Sequence, residues 1–132
     1  MTKQEKINYW LQSAENDWTA AGHLFDKGDY PYALFFGHLT LEKILKAVFV
    51  KKFDEPPPFT HGLTYLAECV SLDISNERIG LLETITDFNL EARYPDEKFL
   101  FYKRCTKEFT ETNLKRIEEI KKWLLHQLQQ IQ

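Results

Sequence analysis

A small group of charged residues, Glu42, Lys43 and Lys46, interrupts the most apolar segment of the sequence. Glu42 and Lys46 are four residues apart, in the order that favours an ion pair along one face of a helix. If that face is open to water, the group is a solvated strip on an otherwise buried helix. If it borders a cleft, Lys43 or Lys46 can instead bind a phosphate or an acidic partner.

A second group, Arg93-Tyr94-Pro95-Asp96, forms a corner that a proline ring makes rigid. In a structural role, Arg93 stabilises the carboxyl end of a helix and Asp96 caps the segment that follows. In a functional role, the corner presents a guanidinium group and an aromatic ring, which bind phosphate and stack on nucleobases. The second interpretation predicts a contact site at Arg93, Tyr94 and Asp96.

The histidines do not form a known catalytic or metal-binding motif. They stand at positions 23, 38, 61 and 126, and none has a glutamate three residues before it, as di-iron helical bundles require. His38 and Glu42 share a helical face and could hold a metal between them, but no third ligand is in view. The sequence also lacks a glycine-rich phosphate loop, a nucleophile elbow and a Cys/His cluster. We therefore predict no metal site and no cofactor, and a non-enzyme is favoured.

The candidate residues must be positioned by helices, because apolar residues recur at helical spacing and strand-like alternation is absent. The first stripe predicts a helix from about residue 3 to 27, with Gly28 just past its end. The second helix is apolar over most of its circumference, which is typical of a central, buried element. It has Asp29 as a possible N-cap and Pro31 in its first turn, and it runs to about Lys52.

Three more helices are predicted in the second half of the chain. A short one begins at Thr60 or His61, a fourth is capped by Ser75 and ends near Arg93, and the last begins at about residue 103. The predicted fold class is all-α, an antiparallel bundle of four long helices plus one short helix.

The run Pro56-Pro57-Pro58 separates the second helix from the third. Three consecutive proline rings remove three hydrogen-bond donors and hold the backbone extended, so they end the helix before them. A long loop that carries such a rigid run is also a candidate interaction segment.

Composition limits the class of protein. The 132 residues fit one domain, 1–132, and 17 Lys+Arg against 20 Asp+Glu argue against a nucleic-acid binder that acts through bulk positive charge. Two widely spaced cysteines, Cys69 and Cys105, predict reduced thiols. The first twenty residues lack the apolar core of a signal peptide, and no apolar run is long enough to span a membrane. A cytoplasmic protein without membrane contact is expected.

Aromatic residues are unusually frequent, with 10 Phe, 6 Tyr and 3 Trp. Many lie on the helical stripes and are expected in the core. Seven others gather near the end of the second helix, the proline run and the segment after the Arg-Tyr-Pro corner, and we expect them to form an exposed interface. They are Phe35, Phe49, Phe53, Phe59, Phe99, Phe101 and Tyr102.

Five segments in order resemble the HEPN domain family, named for higher eukaryotes and prokaryotes nucleotide-binding. The resemblance covers about residues 7 to 126, and the Arg-Tyr-Pro corner resembles one prokaryotic branch. The matching segments are Ala14–Ala21, Gly28–Ala33, Leu41–Ala47, Thr60–Leu66 and Glu91–Asp96.

The resemblance implies a bundle of four or five helices that pairs into a homodimer. Many prokaryotic members act as partners of a minimal nucleotidyltransferase, in several cases as a toxin–antitoxin pair, and others are metal-independent endoribonucleases. The ribonucleases use an Arg followed, after four to six residues, by a His. None of the arginines of this chain is followed by a histidine at that spacing. Because phenylalanine or leucine cannot act as a general acid or base, the departure argues against ribonuclease activity.

Three functional hypotheses follow. The leading one is a non-catalytic HEPN-type homodimer that is the partner of a minimal nucleotidyltransferase, with a nucleotide or RNA as a candidate ligand. The second is a variant metal-independent endoribonuclease that uses His61 or His38 with Arg93. The third is a purely structural helical interaction module. The residues predicted to contact a nucleotide or partner are Arg93, Tyr94, Asp96, His61, Glu42, Lys43 and Lys46.

Overall fold

Six α-helices and no strand make up the structure, a computed structural model that describes residues 1–132. Four of the helices are long and two are short. The all-α prediction is confirmed, with one short helix more than the sequence predicted. The helices are α1 (Lys3–Asp26), α2 (Tyr30–Phe53), α3 (Leu63–Cys69), α4 (Asn76–Arg93), α5 (Leu100–Arg104) and α6 (Lys107–Gln130).

Local sequence signals set both ends of α1 and the start of α2. Thr2 and Glu5 cap α1 reciprocally, each side chain accepting a hydrogen bond from the other residue's backbone N–H. Gly28, just past the end of α1, has a φ of +80°, which only glycine adopts without strain. Asp29 is the N-cap of α2, as predicted, although its side chain makes no capping hydrogen bond.

The central element is α2, which packs against α1, α3, α4, α5 and α6. Its apolar residues are buried almost around the whole circumference, as the composition of this segment predicts. Gly37 allows α6 to come close, because a Cβ at this position would lie 2.8 Å from Cδ1 of Ile117. None of the six helices, α2 included, has both the length and the apolar character needed to cross a bilayer.

Phe88 of α4 joins three helices at the far side of the core. Its side chain is fully buried, and its ring centre lies 5.7 Å from that of Phe101 on α5 and 6.2 Å from that of Phe109 on α6. Aromatic pairs at these separations add to the stability that burial itself provides. This cluster fixes the carboxyl half of α4, which carries Asn89 and Arg93.

Two more predicted caps and the predicted start of the last helix can be compared with the structure. Ser75 caps α4 as predicted, since its Oγ accepts from the backbone N–H of Arg78. The N-cap of α3 is Gly62 and not Thr60 or His61, because the Thr60 hydroxyl instead accepts from the Gly62 N–H. The predicted last helix is split into α5 and α6 by Cys105 and Thr106, and Thr106 caps α6.

The seven aromatic residues expected at an interface divide between surface and core. Phe53, Phe59 and Phe99 are exposed, and Phe59 is completely open to solvent. Phe101 is buried in the core, so its assignment to an exposed cluster is wrong. The remaining three are half-buried, with Phe35 and Tyr102 packed against the main core and Phe49 against a smaller cluster.

Candidate anion-binding site

Hydrogen-bonded polar side chains run from the surface of α4 into the bundle and out again at the loop before α3. The network crosses α2, on which three of its members lie at successive intervals of one turn. It joins residues of the charged group on α2 to Arg93 of the Arg-Tyr-Pro corner. Even the nearest of these, Lys46 and Arg93, are 47 positions apart in the sequence. Its members are Arg93, Asn89, His38, His61, Glu42 and Lys46.

One end of the network is a carboxylate with two partners. The Glu42 Oε1 atom accepts a hydrogen bond of 2.8 Å from Nδ1 of His61, and its Oε2 atom accepts one of 3.0 Å from Nζ of Lys46. A carboxylate can only accept, so His61 carries its proton on Nδ1 when the imidazole is neutral. Its Nε2 atom is then an acceptor, on a side chain that is 55% exposed.

Burial of this ion pair contradicts one sequence-based interpretation. Glu42 is 4% exposed and Lys46 is 8% exposed, so the strip is not solvated as the first interpretation of these residues assumed. The Lys46 ammonium lies 5.5 Å from the ring centre of Trp10 on α1, at cation–π distance. Because desolvating two charges opposes folding, the pair depends on these contacts and on His61 for its stability.

His38 occupies the middle of the network and is completely buried. Its Nε2 atom lies 2.7 Å from the backbone oxygen of His61, and its Nδ1 atom lies 3.2 Å from Nδ2 of Asn89. A carbonyl oxygen only accepts, so Nε2 bears the proton and Nδ1 accepts from the Asn89 amide. Both ring nitrogens are therefore occupied by hydrogen bonds within the chain.

Burial lowers the pKa of His38 below its usual range, against smaller opposing effects of its bond to His61 and of Glu42. The imidazole is thus neutral at physiological pH. His38 and Glu42 are not placed to share a metal ion. The Nε2 atom of His38 donates to the backbone, and it lies 4.0 Å from the Glu42 carboxylate. Nowhere in the chain do three or more potential metal ligands come together.

The other end of the network is the Arg93 guanidinium. Its Nε atom donates to Oδ1 of Asn89 across 2.9 Å, and its Nη2 atom donates to the same oxygen. The guanidinium carbon lies 5.7 Å from the ring centre of Phe35 and 5.1 Å from that of Tyr94. Arg93 forms no ion pair with a carboxylate of the chain, and its Nη1 amino group has no partner there.

Tyr94 and Asp96 lie beside Arg93 but have different surroundings. The Tyr94 side chain is 66% exposed, so one face of its ring is accessible beside the guanidinium. The Asp96 carboxylate accepts from the backbone N–H groups of Lys98 and Leu100, but the N-cap of α5 is Phe99 and not Asp96 as predicted. Its oxygens are therefore used to order the start of α5.

Lys43 lies outside this network. Its Nζ atom is 2.7 Å from Oδ2 of Asp17 and donates to the Ser13 hydroxyl at 2.7 Å, so it joins α2 to α1. Of the seven predicted contact residues, the structure therefore joins four in the network, Arg93, His61, Glu42 and Lys46.

Asn89 is the member that sequence reasoning did not find. It is 3% exposed and stands four residues before Arg93, on the side of α4 that also buries Phe88 and Ala92. The signal that could have identified it is an uncharged polar residue among apolar positions of a helix, since such a group needs a hydrogen-bond partner when it is buried. Its partner His38, 51 positions away, becomes apparent only in three dimensions.

The sequence matches the family model of the HEPN domain over residues 7–128. Because this match spans most of the chain, the protein belongs to the HEPN domain family, as the five segments predicted.

Two solved structures share the fold. TT1696 from Thermus thermophilus has a TM-score of 0.77 and 16% sequence identity, with 92% of this chain and 97% of that chain covered. ST0689, an archaeal HEPN homologue, has a TM-score of 0.73 and 19% identity over the same shares of the two chains. At such identities the likeness establishes the fold alone. The sequence matches no curated protein.

Proposed function

We propose that this protein acts without catalysing a reaction, as the homodimeric partner of a minimal nucleotidyltransferase, and that Arg93 contacts a phosphate of a nucleotide or RNA. One observation carries the phosphate contact. Arg93 is an exposed cation that Asn89 holds in place, and it has no counter-ion within the chain.

The surroundings of Arg93 favour an anion. Asn89 is neutral, so it orients the guanidinium without cancelling its charge, and Nη1 stays free to donate. A pre-oriented guanidinium binds phosphate oxygens with less loss of side-chain entropy than a flexible lysine does. The exposed ring of Tyr94 offers a surface on which a nucleobase can stack. Lys43 and Lys46 are poorer candidates for the phosphate, because each ammonium group already lies on a carboxylate.

A partner surface is supported by apolar residues next to Arg93. Leu90, Tyr94 and Leu100 are each about 60% exposed and line a cavity of about 360 Å³ together with the charged residues Glu91, Asp96 and Arg104. Apolar residues gathered within a polar rim are typical of protein interfaces. This surface adjoins the phosphate contact, so one protein partner could cover both.

Calorimetric titration with ATP and with a short single-stranded RNA tests the phosphate contact. We expect saturable binding that Arg93→Ala weakens by about tenfold or more, the effect of losing a charge-assisted hydrogen bond. Arg116→Ala is the matched control, since Arg116 is an exposed arginine on α6 with no ion pair to a carboxylate. Equal loss in both variants, or no binding, would contradict the assignment.

Thermal unfolding distinguishes the proposal from a purely structural module. A ligand at 100 times its Kd stabilises the folded state by about 2.7 kcal/mol. A saturable shift in Tm with nucleotide therefore excludes an inert module, whereas no shift with any nucleotide or RNA supports one. Light scattering at tens of micromolar protein tests the dimer, and a monomer there would contradict it.

The proline loop gives a test of the partner role. Pro56 is exposed and Pro57 and Pro58 are half-buried, in the segment between α2 and α3. Replacing all three with glycine is expected to weaken binding to the nucleotidyltransferase proposed as the partner while helicity by circular dichroism is retained. Unchanged binding would make the loop a simple connector.

A second candidate function, a variant metal-independent endoribonuclease, is favoured by the Glu42–His61 pair. A carboxylate on Nδ1 leaves Nε2 of an exposed imidazole as a proton acceptor, the arrangement of a general base. His38 is unsuited to this role because it is buried and both of its nitrogens are bonded. Cleavage of single-stranded RNA in the presence of a chelator, lost in His61→Ala and Arg93→Ala, would support this function. No cleavage at high protein concentration would exclude it.

A further inference from the structure

We infer that His38 and Asn89 are positioning residues for Arg93, and that anion binding at Arg93 is switched off when His38 gains a proton. The inference rests on the proposed function, because it names the regulation of the phosphate contact assigned to Arg93. It is carried by the directions of the hydrogen bonds that join the three side chains.

The direction of each bond is fixed by the one before it. The His61 carbonyl can only accept, so Nε2 of His38 donates and Nδ1 accepts. Asn89 must then point its amino group at His38, since that nitrogen is the atom that donates to Nδ1. The amide oxygen of Asn89 therefore faces Arg93, where it accepts from Nε and Nη2. A neutral His38 and a correctly held Arg93 thus require each other.

Protonation of His38 reverses the orientation that the Asn89 amide must adopt. Both ring nitrogens of an imidazolium are donors, so the N–H at Nδ1 would face the amino group of Asn89. The amide of Asn89, 3% exposed, must then turn over to offer its oxygen to His38. Its amino group would come to face the Arg93 guanidinium, which has no acceptor of its own. Arg93 would lose both side-chain hydrogen bonds that orient it toward a ligand.

The charged groups around His38 affect the pH at which His38 gains its proton. Glu42 on α2 favours the protonated ring, whereas His61 from the loop and Arg93 from α4 oppose it. Burial is the largest effect and also opposes protonation, so the pKa of His38 lies below its ordinary value. The change therefore occurs on acidification below the ordinary imidazole pKa of about 6.5, and the Arg93 site is in its binding form at neutral pH.

Other histidines cannot produce the same response. His61, His23 and His126 are exposed, and a proton gained by any of them adds positive charge. Added positive charge strengthens attraction for an anion as the pH falls. A loss of anion affinity on acidification is therefore specific to a group whose protonation disturbs Arg93.

Binding of a short single-stranded oligonucleotide tests the inference when it is followed from about pH 8 down to the lowest pH at which circular dichroism shows the protein folded. Wild-type protein is expected to lose affinity about tenfold or more toward the acidic end, since hydrogen bonds to a charged group are lost. His38→Gln supplies one donor and one acceptor but takes up no proton, so it is expected to bind at neutral pH and to lack the acid-dependent loss. His126→Gln, a change at an exposed histidine, is the control that keeps the wild-type profile.

Asn89→Asp gives a second test, in which the loss of binding does not depend on pH. A carboxylate at this position would pair with Arg93 and cancel its charge, so binding is expected to fall at every pH while Asn89→Ser loses only orientation and falls less. Circular dichroism and Tm show that each variant is folded. Equal binding by wild type and Asn89→Ser would overturn the positioning role, and equal binding by wild type and Asn89→Asp would contradict the phosphate contact at Arg93.

Nitrogen NMR of the imidazole rings tests the network without any ligand. His38 is expected as the neutral form protonated at Nε2 at pH 7, and observation of the Nδ1-protonated form would overturn the inference even if His38→Gln failed to fold. Absence of oligonucleotide binding at every pH would contradict the proposed function and the switch with it. Binding with the same pH profile in wild type and His38→Gln would overturn the switch alone.

Discussion

The exposed imidazole of His61 donates from Nδ1 to the buried carboxylate of Glu42 across 2.8 Å. This contact covers a charge inside the most apolar helix of the bundle, and it links the loop before α3 to α2. The same loop residue accepts a hydrogen bond from His38 through its backbone. His61 is thus held at two points, and the buried ion pair beneath it depends on that fixed position.

Removing the charge of Glu42 is expected to destabilise the protein. Glu42→Gln leaves Lys46, which is 8% exposed, without its anion, and breaking a buried pair in this way costs about 3 kcal/mol. The free energy of unfolding in urea measures the change. Glu111→Gln is the matched control, because Glu111 pairs with Lys115 at the same i,i+4 spacing on an exposed face. Its effect is expected to stay below about 0.5 kcal/mol, and equal effects would contradict the buried role of Glu42.

Acid should destabilise the protein through His38. Because the pKa of this residue is lowered in the folded state, the unfolded chain binds its proton first as the pH falls. The contribution of His38 to stability is complete above the ordinary imidazole value of about 6.5 and is lost on acidification through the lower folded value. The slope from this residue approaches about 1.4 kcal/mol per pH unit. Urea unfolding at several pH values is expected to show a shallower dependence for His38→Gln than for wild type.

Two glycines in or near α1 are expected to respond oppositely to alanine. Gly28 has a φ of +80°, so Gly28→Ala forces strain and is expected to cost about 1 kcal/mol. Gly22 lies within α1, where an added Cβ meets nothing within 4 Å, so Gly22→Ala is expected to gain about 0.5 to 1 kcal/mol of stability. Changes in Tm of the same sign for both variants would contradict this account of the α1–α2 turn.

The two thiols are expected to differ in reactivity. Burial raises the pKa of Cys105 to about 11, whereas Cys69 is partly accessible. At about pH 8 a thiol reagent should therefore label Cys69 first and Cys105 only after unfolding. Because the folded pKa of Cys105 is raised, its contribution to stability is lost as the pH rises through about 9 to 11. Fast labelling of Cys105 in folded Cys69→Ser would contradict this expectation.

Much of the fold could be predicted from the sequence because local sequence signals determine where its helices begin and end. Gly28, Pro31 and Ser75 mark the starts or ends of helices through backbone preferences that need no tertiary contact. Helix α5 escaped prediction for the converse reason. It has five residues, and it is held by the hydrogen bond from the Leu100 N–H to the Asp96 carboxylate and by burial of Phe101 against Phe88.

The site could be predicted only in part. Residue types that bind phosphate or move protons identified Arg93, His61 and Glu42, but spacing alone does not distinguish a buried pair from a solvated one. Glu42–Lys46 and Glu111–Lys115 have the same spacing, and only the first is covered by other parts of the chain. The relay through His38 and Asn89 depends on how α2 and α4 pack, which no local pattern specifies.

His61 follows the proline run by three positions, and its carbonyl accepts from His38, which joins it through Asn89 to Arg93. Binding free energies around a thermodynamic cycle must sum to zero, so two ligands on one network affect each other reciprocally. If a protein held at Pro56–Pro58 steadies His61, it raises the affinity of Arg93 for an anion by some factor. The anion then raises the affinity of the loop for that protein by the same factor. Each ligand would therefore bind more tightly when the other is already bound.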